Sequence, residues 1–255
     1  MRCWSPRRSA ADKMAFLMKF CTLIVNVLCL PLHLLQAVGL YEIYKRFFPF
    51  CVYRISITYN KKMRDKKKEL FRSLPEFNKP GGQLTILEIG CGSGTNFEFY
   101  PPGSKVICTD PNPHFQKYLE KTMAENDHLK YERFVVASGE DMGSIESESV
   151  DVVVATLVLC SVSNTPQVLR EAYRMLRPGG AFFFLEHVVA DPSTWSYFFQ
   201  HVLQPVWYYF GDGCEVTRET WKPLEAAGFS ELKLRHIEAP LMFMIKPHII
   251  GHAVK

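Results

Sequence analysis

The chain of 255 residues, 47% apolar and 22% charged, is long enough for one fully cored α/β domain plus an appendage. Its net charge of +4 conceals a split, since 16 of the 30 Lys and Arg but only 5 of the 26 Asp and Glu fall within residues 1–80. Basic charge beside an apolar segment suits an anionic membrane surface and argues against nucleic acid, which asks for a basic face on the domain itself.

The first element in chain order is a nearly unbroken apolar run from Met14 to Leu40. A cleaved signal peptide has such a basic start and apolar stretch, and Ala37-Val38-Gly39 offers it a nominal cleavage site. A single spanning helix needs about 20 apolar residues and one flank more positive than the other. Here both flanks are basic, with Arg2, Arg7, Arg8 and Lys13 before the run and Lys45, Arg46, Arg54, Lys61, Lys62 and Arg64 after it. Pro31 also divides the run, where it breaks or kinks a helix. A hairpin or in-plane anchor accounts for both facts, because it returns the two basic flanks to one face. Residues 1–45 are therefore expected to be a hydrophobic membrane-anchoring segment, 46–82 a basic collar and linker, and 83–255 the folded domain. Within the collar, Asn60 to Phe71 reads as a basic helix facing water or lipid, and Lys79-Pro80-Gly81-Gly82 as a linker.

The strand Leu84-Thr85-Ile86-Leu87 then leads into Glu88-Ile89-Gly90-Cys91-Gly92-Ser93-Gly94, expected to form a tight turn into a helix. Glycine lets a backbone come close to a bound ligand. Dinucleotide folds use G-x-G-x-x-G to seat a pyrophosphate. The pattern here is E-x-G-x-G-x-G, and its acid, two residues before the first glycine, suits a cationic ligand bearing an ammonium group. A second strand, Lys105 to Thr109, ends at Asp110, where doubly wound folds place a carboxylate on ribose hydroxyls. A helical pattern through Phe115, Leu119 and Met123 precedes a third strand, Arg133 to Ala137, and the loop Ser138-Gly139-Glu140-Asp141-Met142. Asp151 to Leu159 is an apolar run typical of a central parallel strand. A helix from Val168 to Leu176 stops at Arg177-Pro178-Gly179-Gly180, and a fifth strand runs from Ala181 to Val188. Leu232 to Ile237 and Ile249 to Val254 are candidates for a last strand pair, and Arg218 to Ala227 reads as a structural helix. Alternating strands and helices imply a parallel sheet with its ligand at the carboxyl ends of the strands.

The eight cysteines include no C-x-x-C pair, so spacing offers neither a metal site nor a dithiol centre. Cys91 in the glycine turn, with Cys108 and Cys160 in expected strands, read as buried free thiols of a reducing compartment.

Glu88 to Gly94 resembles motif I of the class I S-adenosylmethionine (SAM)-dependent methyltransferases. Leu157 to Val162, Leu176 to Gly180 and Glu186-His187 are similar to the branch that includes quinone and sterol C-methyltransferases. Phe99 to Gly103, Asp110 to Pro113, Gly211 to Cys214 and Pro247 to Gly251 resemble the vertebrate membrane-associated alkyl-thiol S-methyltransferases of endoplasmic reticulum and lipid droplets. The resemblance implies an α/β, doubly wound Rossmann-like methyltransferase sheet with a final antiparallel strand, plus an N-terminal hydrophobic membrane anchor. SAM is the implied cofactor, and a small lipophilic thiol and a membrane lipid or lipid-droplet surface are the implied partners. The implied location is the endoplasmic reticulum membrane and lipid droplet, with the catalytic domain facing the cytosol. By the same resemblance Glu88, Gly90, Gly92, Gly94, Asp110, Gly139, Glu140, Asp141 and Leu157 are candidates for binding SAM, with Glu140 or Asp141 near the adenine amine. Methylation of a quinone or sterol lipid, and a SAM-binding protein that organises membranes or droplets, are the alternatives.

A thiol acceptor asks little of the protein, because a free thiol with a pKa near about 8.5 is already a few per cent thiolate at neutral pH. A single weak base suffices, and His187, at the carboxyl end of a strand, is the candidate catalytic residue, against a simply hydrogen-bonded histidine. Cys214 carries no assigned role. Trp195 to Phe210 is aromatic on nearly every side, so this helix needs a second apolar surface: an acceptor pocket, a membrane, or both.

Overall fold

A computed structural model describes residues 6–79 and 81–255; Arg2 and Pro80, named above, and Cys3, one of the eight cysteines, lie outside them. Seven strands form one sheet in the order β3-β2-β1-β4-β5-β7-β6. They are β1 Thr85–Ile89, β2 Lys105–Asp110, β3 Lys130–Val136, β4 Val150–Thr156, β5 Leu176–His187, β6 Glu231–Glu238 and β7 Pro247–Val254. The first five are parallel, and β7 runs antiparallel between β5 and β6, as expected for the last pair. The mixed sheet with helices on both faces is the α/β Rossmann-like arrangement.

Alternation along each strand builds two cores. Ile86, Val106, Val152, Val154, Phe183 and Leu185 face one side, where they meet Met63, Leu70 and Phe71 of a long helix and Leu119 of helix α4 Gln116–Ala124. Leu87, Ile89, Val153, Ala155, Phe182 and Phe184 face the other side, against helix α5 Thr165–Met175. Asn164 caps α5 by accepting from Gln167 N at 3.1 Å, which sets where the chain after β4 turns back.

The N-terminal region is three helices, α1 Pro6–Leu28, α2 Leu30–Ala37 and α3 Tyr41–Phe71. The break at Cys29 falls beside Pro31, which occupies the first turn of α2, where a missing N–H costs nothing. Among the described residues no single helix is long and apolar enough to cross a membrane. Asp12–Leu28 and Leu30–Ala37, bent by 49°, reach that length and composition only together.

Several elements differ from expectation, each for a local reason. The glycine turn opens into turns and one 3-10 turn, Phe97–Phe99, rather than a helix, because Asn96 is drawn inward by Glu88. The strand expected over Asp151 to Leu159 ends at Thr156, so Cys160 lies in a turn and not in a strand. There the Glu186 carboxylate accepts from Val158 N and Leu159 N, and Leu157 adopts a left-handed φ of 58°. The Arg177 to Gly180 stretch belongs to β5, paired through Leu176 and Ala181 with β4. The helix expected over Arg218 to Ala227 is only α7 Trp221–Glu225.

The collar packs rather than facing only water or lipid. Met63, Lys67, Leu70 and Phe71 of α3 are buried on the sheet. The aromatic helix α6 Trp195–Phe210 finds its second surface in the N-terminal helices. Thr22 Oγ1 donates to His201 O, Tyr41 Oη donates to Tyr209 O at 2.7 Å, and His33 pairs with the Tyr209 hydroxyl.

Candidate functional site

The carboxyl edge of the sheet carries two neighbouring constructions. The first is built at the ends of β1 and β2. Gly90 has φ of 57°, and a Cβ there would lie 2.6 Å from Val158 Cγ2, so the turn after β1 and the loop after β4 touch only because that atom is missing. Gly94, with φ of 76°, is pressed in the same way onto the Phe97 ring. Gly92 N donates to Asp110 Oδ2 at 3.1 Å, and Asn112 N donates to Asp110 Oδ1 at 2.8 Å. Burial pushes the Asp110 carboxyl up to about 6 against the pull of these two N–H groups.

Strand alternation sends Glu88 to the face that carries α3. Its oxygens accept from Asn96 Nδ2 at 2.7 Å and Tyr100 Oη at 2.6 Å, so the carboxylate braces the turn from beneath. Lys67, also buried, donates to Thr95 O and Thr95 Oγ1 and to Asn60 Oδ1, while Asn60 Nδ2 donates to Thr95 O at 2.8 Å. The collar helix thus grips the glycine turn through Thr95, a role no feature of its basic sequence announced. Burial drives the Glu88 carboxyl up and the Lys67 ammonium down from their ordinary values.

After β3, Gly139 packs closely on Ile89 and Val168. Glu140 accepts from Ser163 N at 2.7 Å and Asn164 N at 3.1 Å and pairs with the Ser138 hydroxyl, so it ties this loop to the start of α5. Asp141 is exposed, and one oxygen accepts weakly from Gly143 N. Leu157 is half-buried at the mouth of β4.

The second construction lies at the ends of β4 and β5. His187 is buried, and its Nε2 stands 2.9 Å from Cys214 Sγ. Cys214 Sγ also accepts from Trp207 Nε1 at 3.1 Å and lies 3.6 Å from Cys160 Sγ. Cys214 is held below the ordinary thiol value, first by its hydrogen bond with Cys160, whereas Cys160 is pushed well above it by that same bond and by burial. Indole N–H is donor-only, so Cys214 Sγ is the acceptor toward Trp207. Burial lowers His187, but the facing Cys160 and Glu186 raise it further, leaving it above its ordinary value. Arg218 Nη1 secures the loop that carries Cys160, donating to Leu159 O and Val162 O, both at 2.7 Å, and to Thr165 Oγ1. Sequence spacing expected no metal site, yet Cys160, His187 and Cys214 converge with their ligand atoms within 4.8 Å. Each comes from a different element, so spacing carried no signal beyond the Glu186-His187 pair at a strand end.

The edge fits a polar, cationic ligand such as SAM. Tyr59 Oη, Asn96 Oδ1, Glu186 Oε2 and His187 Nδ1 are buried and have no hydrogen-bond partner among the described residues. Buried polar atoms of this kind are costly unless a ligand completes them. A free carboxylate oxygen among them favours positive charge.

Residues 87–184 match the methyltransferase domain family. The chain is 57% identical over 223 residues to the human protein thiol S-methyltransferase TMT1A, spanning 87% of this chain and 91% of that protein. It is 49% identical over 244 residues to human thiol S-methyltransferase TMT1B, spanning 95% and 100% of the two chains. Among solved structures, a SAM-dependent methyltransferase from Thermotoga maritima, described as a possible histamine N-methyltransferase, superposes with a TM-score of 0.58 at 17% identity, over 84% of this chain and 99% of that one. The CurJ carbon methyltransferase superposes with a TM-score of 0.52 at 21% identity, over 70% and 50%. These structural likenesses concern the fold.

Proposed function

The chain belongs to the thiol S-methyltransferase family, and we propose that it methylates the sulfur of small lipophilic thiols while seated on a membrane surface. It is a SAM-dependent methyltransferase. The observation that carries the acceptor reading is the sulfur-and-imidazole cluster at the ends of β4 and β5, beside a glycine turn and a buried Asp110.

When bound, SAM supplies a methyl group on a sulfonium, already electrophilic. The residues at the ends of β1 and β2 are assigned to hold it: Gly90, Gly92 and Gly94 by shaping the turn, Glu88 by bracing that turn, and Asp110 by accepting from ribose hydroxyls. Gly139 and Leu157 stand on the neighbouring loops after β3 and β4. Of the two acids offered for the adenine amine, Glu140 has both oxygens engaged by Ser138, Ser163 and Asn164, which favours Asp141. The transfer requires that water be excluded and the acceptor held in line. His187 is assigned the control of the acceptor's ionisation, since a thiolate is the required nucleophile.

The membrane reading is supported by a wide apolar surface. Phe16, Leu23, Leu28, Leu34, Val38 and Phe47 on α1 to α3 are more than half exposed, and Trp195 and Phe210 of α6 add to them. Such a surface exceeds what isolated exposed hydrophobics need explaining. Basic residues on both sides of it support an in-plane seat, and the seat proposed is the cytosolic face of the endoplasmic reticulum membrane or a lipid droplet.

The deciding experiment incubates purified protein with labelled SAM and a panel of thiol, amine, phenol and quinone acceptors. Methyl transfer to alkyl thiols alone is expected; preference for a quinone or an amine overturns the acceptor reading. Flotation with anionic liposomes tests the surface, and it is expected to be lost when residues 1–45 are removed.

A further inference from the structure

Cys160, His187 and Cys214 place three soft donors at one point, each carried by a separately secured part of the chain. Glu186 and Arg218 hold the loop after β4, β5 delivers His187, and the turn Gly211–Cys214 is folded back on the end of α6. The geometry points to a site for one soft divalent cation, zinc by its donor set, bound by Cys160 Sγ, Cys214 Sγ and a ring nitrogen of His187, whose fourth position takes the sulfur of the acceptor thiol. This inference rests on the thiol methylation reading and deepens it.

Two thiolates and one imidazole, with a fourth place left for water or substrate, is a donor set of catalytic zinc. Zinc–sulfur bonds of about 2.3 Å in a tetrahedron set two sulfurs about 3.8 Å apart. Cys160 Sγ and Cys214 Sγ stand 3.6 Å apart. The edge from His187 to Cys214, now 2.9 Å, opens by roughly 0.6 Å to match a zinc–nitrogen bond of about 2.0–2.1 Å. Two thiolates cancel the charge of the cation, so the site with water in its fourth position carries no net charge into buried surroundings. Trp207 Nε1–H on Cys214 Sγ is the kind of outer hydrogen bond that metal-bound ligands accept. A cavity also lies next to the cluster in the chain. Ser161 and Gly213, the chain neighbours of the two cysteines, line a cavity of about 240 Å³ together with Tyr41, Lys45 and Tyr208.

The step balances without oxidant or reductant. The acceptor R–SH gives its proton to solvent as its sulfur takes the fourth position as a thiolate. The new sulfur–methyl bond forms while the sulfonium carbon–sulfur bond breaks, and the electron pair stays on the sulfur of S-adenosylhomocysteine. The neutral thioether is a weaker ligand and leaves. His187 then governs the acceptor's ionisation as a ligand of the cation.

The test uses the full chain, expressed with zinc and purified in detergent. One zinc per chain is expected by elemental analysis, and Cys160→Ser, Cys214→Ser and His187→Ala are each expected to lose it while keeping SAM affinity by calorimetry. Cobalt loaded into the unaltered protein covers the case of a variant that does not fold: thiolate-to-cobalt absorption is expected, shifting when hexanethiol is added without SAM. The inference is overturned if supplied zinc is not retained and cobalt gives no thiolate absorption, or if metal-free protein methylates hexanethiol at full rate. It is equally overturned if non-reducing mass spectrometry finds Cys160 and Cys214 joined in a disulfide in the active protein. Zinc uptake with the hexanethiol shift but no methyl transfer overturns the thiol methylation reading instead and leaves the metal site standing.

Discussion

The ends of β1 and β2 and the ends of β4 and β5 sit side by side on one sheet edge but are made in opposite ways. At β1 and β2 the construction is local: Glu88, the glycines, Asn96, Tyr100, Asp110 and Asn112 all fall within one short stretch of chain, with backbone N–H groups on Asp110 and side chains on Glu88. At β4 and β5 it is assembled from afar, with His187 and Cys214 separated by 27 residues and Cys160 and Cys214 by 54, and bonded through side chains. The lesson is one of tolerance. Backbone-built cradles fail when a Cβ is added, whereas side-chain clusters fail when a donor is taken away.

The sharpest way to break the comparison is Gly90→Val. The added side chain meets Val158 in a left-handed backbone position, at a cost of about 2–6 kcal/mol from strain and overpacking together. Loss of SAM binding by calorimetry and a lower melting temperature are expected; unchanged SAM affinity would show that the turn is not the cradle.

His187→Ala addresses the other side. Turnover with an alkyl thiol is expected to fall about 10²-fold or more, as for loss of a proton-handling group, with SAM affinity kept. If SAM affinity falls in parallel, the two constructions are not separable.

Asp110→Asn is expected to weaken SAM by about 1.5–3 kcal/mol, the scale of a hydrogen bond to a charged group. The sign of its pH dependence follows from burial. The Asp110 carboxyl, raised to about 6, is an ionised acceptor only above that pH, so SAM affinity falls as pH drops through 6 in the unaltered protein and is flat in the variant. Because the folded state favours the neutral acid, the stability tied to it is present below the ordinary Asp value and lost as pH rises through 6. A pH-independent affinity for the unaltered protein counts against the ribose assignment.

The smallest effect is expected from Arg218→Met, which frees Leu159 O, Val162 O and Thr165 Oγ1 without touching either construction directly. A few-fold rise in the acceptor KM, about 1 kcal/mol, is expected with the KM for SAM unchanged. A change confined to SAM would place the loop after β4 on the wrong side of the comparison.

Much of this was legible in the sequence, and the reason lies in distance along the chain. The alternation of strands and helices, the antiparallel last pair, the break at Pro31, and the glycine turn with the Asp110 that ends the next strand are written in short-range patterns of alternation and turn chemistry. The orientation of Glu88 was within reach as well, since Ile86 and Glu88 share a face by alternation, but the partners on that face come from α3. Only the tertiary structure decided that Lys67 and Asn60 would grip Thr95, that α1 would cover the second face of α6, and that Cys160 would leave its strand to meet His187 and Cys214. Periodicity and turn residues determine which face of an element is apolar and where it ends. Which distant side chains then share a buried polar point depends on how the elements stack, and no local pattern records that.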